Sequence, residues 1–196
     1  MKKSGFQQFM EWGALICLAL TAVFLGGWLM FGGAFVALTI TFGTILYHFA
    51  VRLAVGAAVD RLTENGVDYR SRWFRQSPAE KALFRLLKVH SWKLKLPTYT
   101  PEKFSLTKNS PEQVLCNMCA AEIIHEVNIP ASIIPVILSV AVPFLRSTLL
   151  VFVLTSAAAA LFDLMFVVIQ RYNRPRMLRL IQRKSRADVN NIPAQG

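Results

Sequence analysis

From Trp12 to Val51 the chain carries no acidic, lysine or arginine side chain. That stretch is about twice the ~20 residues that one helix needs to cross a hydrocarbon core roughly 30 Å thick. Two membrane-spanning helices are therefore expected, near residues 8–27 and 33–57. The glycine pairs Gly26-Gly27 and Gly32-Gly33, with Trp28 and Phe31 among them, suit a tight turn at the membrane interface, where aromatic rings anchor. A third apolar run, near 129–145, contains Pro130, Pro135 and Pro143 and reads as a kinked or a re-entrant span. A fourth, near 148–169, has Asp163 as its charged residue. An insert, 60–128, separates the two apolar pairs, and a basic tail, 171–196, follows them. The pattern predicts a single all-α integral membrane domain over 1–196, with about four transmembrane helices and a cytoplasmic amphipathic helical loop.

Composition sharpens this class. Hydrophobic residues make up 54% of 196 and mean hydropathy is +0.42, whereas soluble domains average about 45–50% apolar. A formal net charge of +11 has no place on a lipid-facing surface, so it gathers in loops and tails. Eleven Lys or Arg lie between Asp60 and Glu112 and seven from Arg171 to Arg186; Lys2 and Lys3 precede the first span, and Arg146 stands alone between the third and fourth. By the positive-inside rule the insert and both termini are expected in the cytoplasm, in a multi-pass protein of the cell membrane. Arg146 then belongs on the far side, which four full spans satisfy and a re-entrant third run does not. The basic start and apolar run at the N-terminus invite a signal-peptide reading, but the run exceeds the usual ~7–15 residues, so a retained anchor is expected. No nucleic-acid motif accompanies the charge. Membrane lipids are the expected partners, and the sequence names no protein partner. Cys17, Cys116 and Cys119 are an odd set without a staple pattern, which fits reduced thiols.

The insert has start signals of its own. Ser77, Pro78 and Glu80 occupy the N-cap, first-turn and capping-box positions, and Leu83, Leu86 and Leu87 recur on one face opposite Lys81, Arg85 and Lys88. Such a helix either lies on the inner leaflet or caps the ends of the spans. Ser110, Pro111 and Glu112 repeat the signal and launch the helix carrying AAEIIHEVNIP, residues 120–130.

On that helix Glu122 shares a face with His125 and Glu126. Three readings stand open: general acid–base machinery, with a carboxylate orienting His125; half of a metal site; or a solvated face. A di-iron bundle needs two Glu-x-x-His units and further carboxylates, and one unit is present, so no metal is expected. Ionisable groups inside the spans are costly and usually partnered or functional. Arg52 and Asp163 fall at overlapping depths, where they form either an ion pair or part of a substrate site; His48 lies one turn from Arg52 and reads best as a hydrogen-bonded structural histidine. After the fourth span, QRYNRPR places Arg171, Tyr172, Asn173, Arg174, Pro175 and Arg176 at the inner interface. It is denser in forked donors than anchoring requires and suits phosphate or carboxylate. Pro175 is expected to prevent a simple helical run-on.

The segments AEIIHEVNIP and IQRYNRPRMLRLI, with the strip HSWKLKLP, resemble the glycosyl-4,4'-diaponeurosporenoate acyltransferases, small integral membrane enzymes of carotenoid biosynthesis, over roughly residues 70–182. The resemblance implies transfer of a fatty acyl group to a sugar hydroxyl of a glycosylated lipid or carotenoid. It implies shared polar residues at Trp92, Lys93, Glu122, His125, Arg171, Tyr172, Asn173 and Arg174. The chain departs from the family in a fuller N-terminal hairpin and in its proline-rich third run. The mechanism expected is that His125, oriented by Glu122 or Glu126, deprotonates the sugar hydroxyl while Arg171 and Arg174 hold donor phosphate or oxyanion charge. Trp92, Lys93, Arg52, His48 and Asp163 join Tyr172 and Asn173 as candidate substrate contacts. No cofactor is expected; the acyl donor, for which acyl-CoA is one candidate, enters as a substrate. Position 130, five after His125, is Pro, and no Gly-x-Ser-x-Gly elbow occurs, so a serine acyl-enzyme is disfavoured; Cys119 is the alternative nucleophile. Competing readings are a non-catalytic lipid-binding membrane partner and another lipid-modifying membrane enzyme.

Overall fold

The computed structural model describes residues 3–64 and 66–190; Lys2 and the end of the basic tail lie outside them. It is 84% helical, and no strand occurs among the described residues. Helix α1 (Gly5–Phe31) opens on Ser4, whose Oγ accepts from the Gln7 N–H at 3.0 Å. It closes at Gly32, whose φ of +83° is open to glycine and strained for any other residue. A 3-10 turn, Gly33–Phe35, returns the chain into α2 (Val36–Leu62). Gly26 and Gly27 fall inside α1 and not in the turn. Gly27 lets the Phe35 ring lie against the helix, where a Cβ would meet it at 3.1 Å.

The insert forms α3 (Pro78–Leu86), α4 (Val89–Trp92) and several 3-10 turns. The expected capping box is complete: the Glu80 N–H donates to Ser77 Oγ at 3.1 Å and the Ser77 N–H to Glu80 Oε2 at 2.6 Å. Phe74, Phe84 and Val89 are buried against the rest of the protein, while the Leu83, Leu86 and Leu87 stripe faces outward. The insert is thus packed on the helices by its aromatic side.

Helix α5 (Pro111–Ala131), capped by Ser110, continues into α6 (Ile134–Ala141). A 3-10 turn, Pro143–Thr148, leads to α7 (Leu149–Asn190). Four stretches are long and apolar enough to cross a membrane: Gly5–Phe31, Gly33–Leu62, Pro111–Ala141 and Pro143–Arg186. The third starts well before residue 129, so AAEIIHEVNIP lies within a membrane-length helix instead of preceding one. The fourth runs straight through Pro175, contrary to the expected break.

Prolines in the third and fourth stretches are accommodated in one way. A helical proline leaves the carbonyl four residues earlier without its donor. Pro135 frees the Ala131 carbonyl, and the Tyr47 hydroxyl donates to it at 2.8 Å. Pro175 frees the Arg171 carbonyl, and the Gln76 amide donates to it at 3.4 Å. Side chains from α2 and the insert replace the lost backbone bonds: α7 runs through Pro175 unbroken, and α6 follows α5 across a turn at Ser132 and Ile133. The bundle is then assembled by α1 on α2, α2 on α5, and α5 and α6 on α7, with α3 and α4 against the far end of α7.

The hairpin turn makes a paired test. Gly32→Ala is expected to lower stability by about 1–3 kcal/mol, because Ala would be held at a strained φ. Gly26→Ala, inside α1 with open space around its Cβ position, is expected to be neutral or slightly stabilising. Thermal unfolding of both variants in detergent measures the contrast.

Candidate active site

Asp163, on α7, is fully buried among apolar helices. A carboxylate so placed is tolerated when its partners converge on it, and three do. Arg52 on α2 forms an ion pair with Oδ2. His125 Nδ1, on α5, lies 2.8 Å from Oδ1, and Asn128 Nδ2 reaches the same oxygen at 3.5 Å. Arg52 Nη1 donates to the His48 carbonyl at 2.8 Å, and Nη2, which faces Asp163, also reaches the Ala159 carbonyl at 2.9 Å and Ser132 Oγ at 3.3 Å. Because a carboxylate accepts from Nδ1–H, this contact assigns the proton to Nδ1 and leaves Nε2 as the nitrogen with a free lone pair. The imidazole is held flat on the Phe166 ring, 4.7 Å between centroids at 14°.

The two glutamates of the motif belong to another cluster. Glu122 is also fully buried, and its oxygens approach Arg171 Nε at 2.9 Å and Arg174 Nη2, ionic contacts off the hydrogen-bond axis. Arg171 spends its other nitrogens on Glu80 at 2.5 Å and Glu126 at 2.9 Å. Trp73 Nε1 donates to the second oxygen of Glu126 at 2.7 Å. Arg174, nearly buried, donates to the Phe74 carbonyl and lies over the Phe74 ring. The expected orientation of His125 by Glu122 or Glu126 is therefore replaced by Asp163. Equally, Arg171 and Arg174 are committed to carboxylates and a carbonyl instead of being left for a donor phosphate. Burial raises the Glu80 carboxyl, but the Ser77 N–H and Arg171 outweigh it and hold it below its usual range.

A groove of about 1370 Å³ runs between α1, α2, α5, α7 and the segment 93–104. His125, Asp163, Arg52 and Asn128 line one part of it, Phe6, Met10, Phe162 and Phe166 give it apolar walls, and Lys93, Asn173 and Arg176 line it further along α7. Of the other candidates, Tyr172 packs beneath Lys93 and against Phe84, and Trp92 Nε1 donates to the Leu87 carbonyl at 2.9 Å. Neither lines the groove. His48 is buried, and neither ring nitrogen has a hydrogen-bond partner among the described residues, unlike the hydrogen-bonded histidine expected. Cys119 is fully buried and outside the groove, which leaves it no path to an acyl donor.

Sequence reasoning did not single out Asn128, Ser132, Glu80 or Trp73 for the site. Asn128 and Ser132 follow His125 at helical spacing, three and seven positions on, a signal that was available. Glu80 was visible as a capping residue only; its second duty to Arg171 depends on tertiary packing.

The family model for glycosyl-4,4'-diaponeurosporenoate acyltransferase matches residues 70–183, an interval that contains both carboxylate clusters but not Arg52. No curated protein and no solved structure matches the chain.

Removing Glu122 strands a nearly buried guanidinium, so Glu122→Ala is expected to cost about 3–5 kcal/mol. Thermal unfolding should report it as lost folded protein. A second expectation concerns acid. The folded-state carboxyl of Glu80 titrates below the ordinary glutamate value of 4.5, so its stabilisation is complete above that pH and is lost as pH falls through the lower folded value. Hydrogen exchange of α3 amides should accelerate on acidification below about pH 4.5 in the wild type, and Glu80→Gln should lack that increment.

Proposed function

The chain belongs to the glycosyl-4,4'-diaponeurosporenoate acyltransferase family, acyltransferases of carotenoid biosynthesis, and from that premise we propose that it esterifies a sugar hydroxyl of a glycosylated lipid or carotenoid with a fatty acyl group. The observation that carries this reading is the His125–Asp163 pair opening into a long groove among membrane-length helices. General-base chemistry needs an oriented imidazole within reach of substrate, and Asp163 supplies the orientation that the motif's own glutamates do not.

In the proposed reaction His125 Nε2 takes the proton of the sugar hydroxyl as its oxygen attacks the carbonyl carbon of an acyl thioester. The new C–O bond forms, the C–S bond breaks, and the proton passes from His125 to the departing sulfur. The products are a glycolipid ester and a free thiol. Asp163 stays ion-paired with Arg52 and stabilises the transient imidazolium. The groove exceeds the ~300–1,000 Å³ of ordinary small-molecule pockets, which suits two lipidic substrates, and its aromatic walls suit an alkyl chain. The density of basic residues in the insert and along the end of α7 supports a cytoplasmic reaction face in the cell membrane, with glycosylated lipid and acyl donor as its partners.

His125→Ala is expected to lower kcat by about 10²–10⁴-fold with the fold retained. The assay supplies labelled acyl thioester and a panel of glycosylated lipids to purified protein. Wild-type rates from His125→Ala would remove the general base, and a folded wild type that acylates no acceptor would remove the transferase reading.

A further inference from the structure

We propose that Lys93, Asn173 and Arg176 form a phosphate subsite, and that the groove thereby takes the 4'-phosphopantetheine arm of an acyl thioester donor. The inference rests on the acyltransferase reading for the thioester, while the subsite itself rests on unbalanced charge and on length.

Most groove and interface cations already have counterions. Lys3 pairs with Glu11, Lys103 with Asp60, and Arg52 with Asp163; Arg171 and Arg174 are taken by Glu80, Glu122 and Glu126. Lys93 and Arg176 differ. Among the described residues no carboxylate stands in ion-pairing range of either, nor of Arg61, a further groove cation on α2. Lys93 Nζ instead donates to Asn173 Oδ1 at 2.7 Å and sits 4.8 Å above the Tyr172 ring, both from α7. Burial, and then repulsion from Arg176, push the Lys93 ammonium below its usual pKa. Two neighbouring cations, one of them held in place by an amide and an aromatic ring, are relieved by an anion that accepts from both.

Length selects the anion's carrier. Asp163, Phe166, Gln170, Asn173 and Met177 follow helical spacing and all line the groove, so one face of α7 floors it. At 1.5 Å per residue, Asn173 lies about 15 Å along the helix from Asp163 and Arg176 about 20 Å. A pantetheine arm has about thirteen bonds between phosphorus and sulfur, and at three bonds per ~3.5 Å of extended chain it spans about 15 Å. It can therefore place a thioester at His125 with its phosphate at Lys93. In a phospholipid about five bonds separate phosphorus from the acyl carbonyl, a reach of ~6 Å on the same scale, which falls well short.

The full chain in lipid nanodiscs provides the test, with the thermal midpoint of each variant confirming its fold. Binding of CoA and of holo-acyl carrier protein is titrated directly. KM is measured for acyl-CoA, acyl-(acyl carrier protein) and an acyl-pantetheine without phosphate. Lys93→Gln and Arg176→Gln should each raise the Kd and KM of the phosphorylated donor about tenfold or more. They should move kcat little and leave KM for unphosphorylated acyl-pantetheine unchanged, and Arg176→Lys should recover most of the loss. Preference between the two carriers identifies which one brings the arm, and either supports the subsite. Binding that depends on Lys93 and Arg176 without any transfer would keep the subsite and end the acyltransferase reading. Transfer indifferent to both substitutions, or transfer from a phospholipid donor, would keep the reaction and overturn the subsite.

Discussion

A carboxylate buried at Asp163 constrains the bundle more tightly than any apolar contact. Leaving such a group without partners costs several kcal/mol, so helices that carry its partners must stop at one rotation and one height. Arg52 fixes α2, His125 and Asn128 fix α5, and the Ala159 carbonyl returns Arg52 to α7 one turn before Asp163. Hydrophobic packing alone tolerates sliding and rotation by small amounts. Ion pairing with a fully buried oxygen does not. The same constraint that sets the register also leaves one imidazole nitrogen of His125 free beside the groove, so architecture and proposed chemistry share a single group.

Helix α5 divides its polar residues between two such constraints. Positions 122 and 126 lie within about 40° of each other around the axis, and 125 is about 60° from 122. That offset is enough to send the glutamates to Arg171 and Arg174 while His125, Asn128 and Ser132 turn toward Asp163 and Arg52. Shared helix face made Glu122 the natural partner for His125. Two guanidiniums on α7 compete for the same carboxylate, however, and a charge-assisted pair between buried ions outweighs a weak i,i+3 contact worth a few tenths of a kcal/mol.

What could be read from the sequence follows from this difference in range. The apolar runs, the Ser77–Glu80 capping box and the Ser110 cap are local, and each is present. The Arg52–Asp163 pair was legible because two lone charges in apolar helices have few alternatives. That the Ser110-capped helix itself belongs to the third membrane-length stretch was not, since Glu122 and Glu126 make it look solvated until Arg171 and Arg174 of α7 pair with them. Nor was the passage of α7 through Pro175: the Gln76 amide that takes the orphaned Arg171 carbonyl is remote in sequence.

Continuity through Pro175 explains why QRYNRPR carries so many donors. On an unbroken helix Arg171 and Arg174 are about 60° apart, and Asn173 and Arg176 form a second such pair on another side. The first pair turns inward and clamps α5 and the insert through Glu80, Glu122, Glu126 and the Phe74 carbonyl. The second lines the groove, where Lys93 joins it. A break at Pro175 would leave the clamp intact and swing Arg176 away from the stripe begun by Asp163. Gln76 therefore does more than repair a hydrogen bond. By keeping α7 straight it holds the proposed phosphate subsite in line with His125, at the separation that one extended donor arm can bridge.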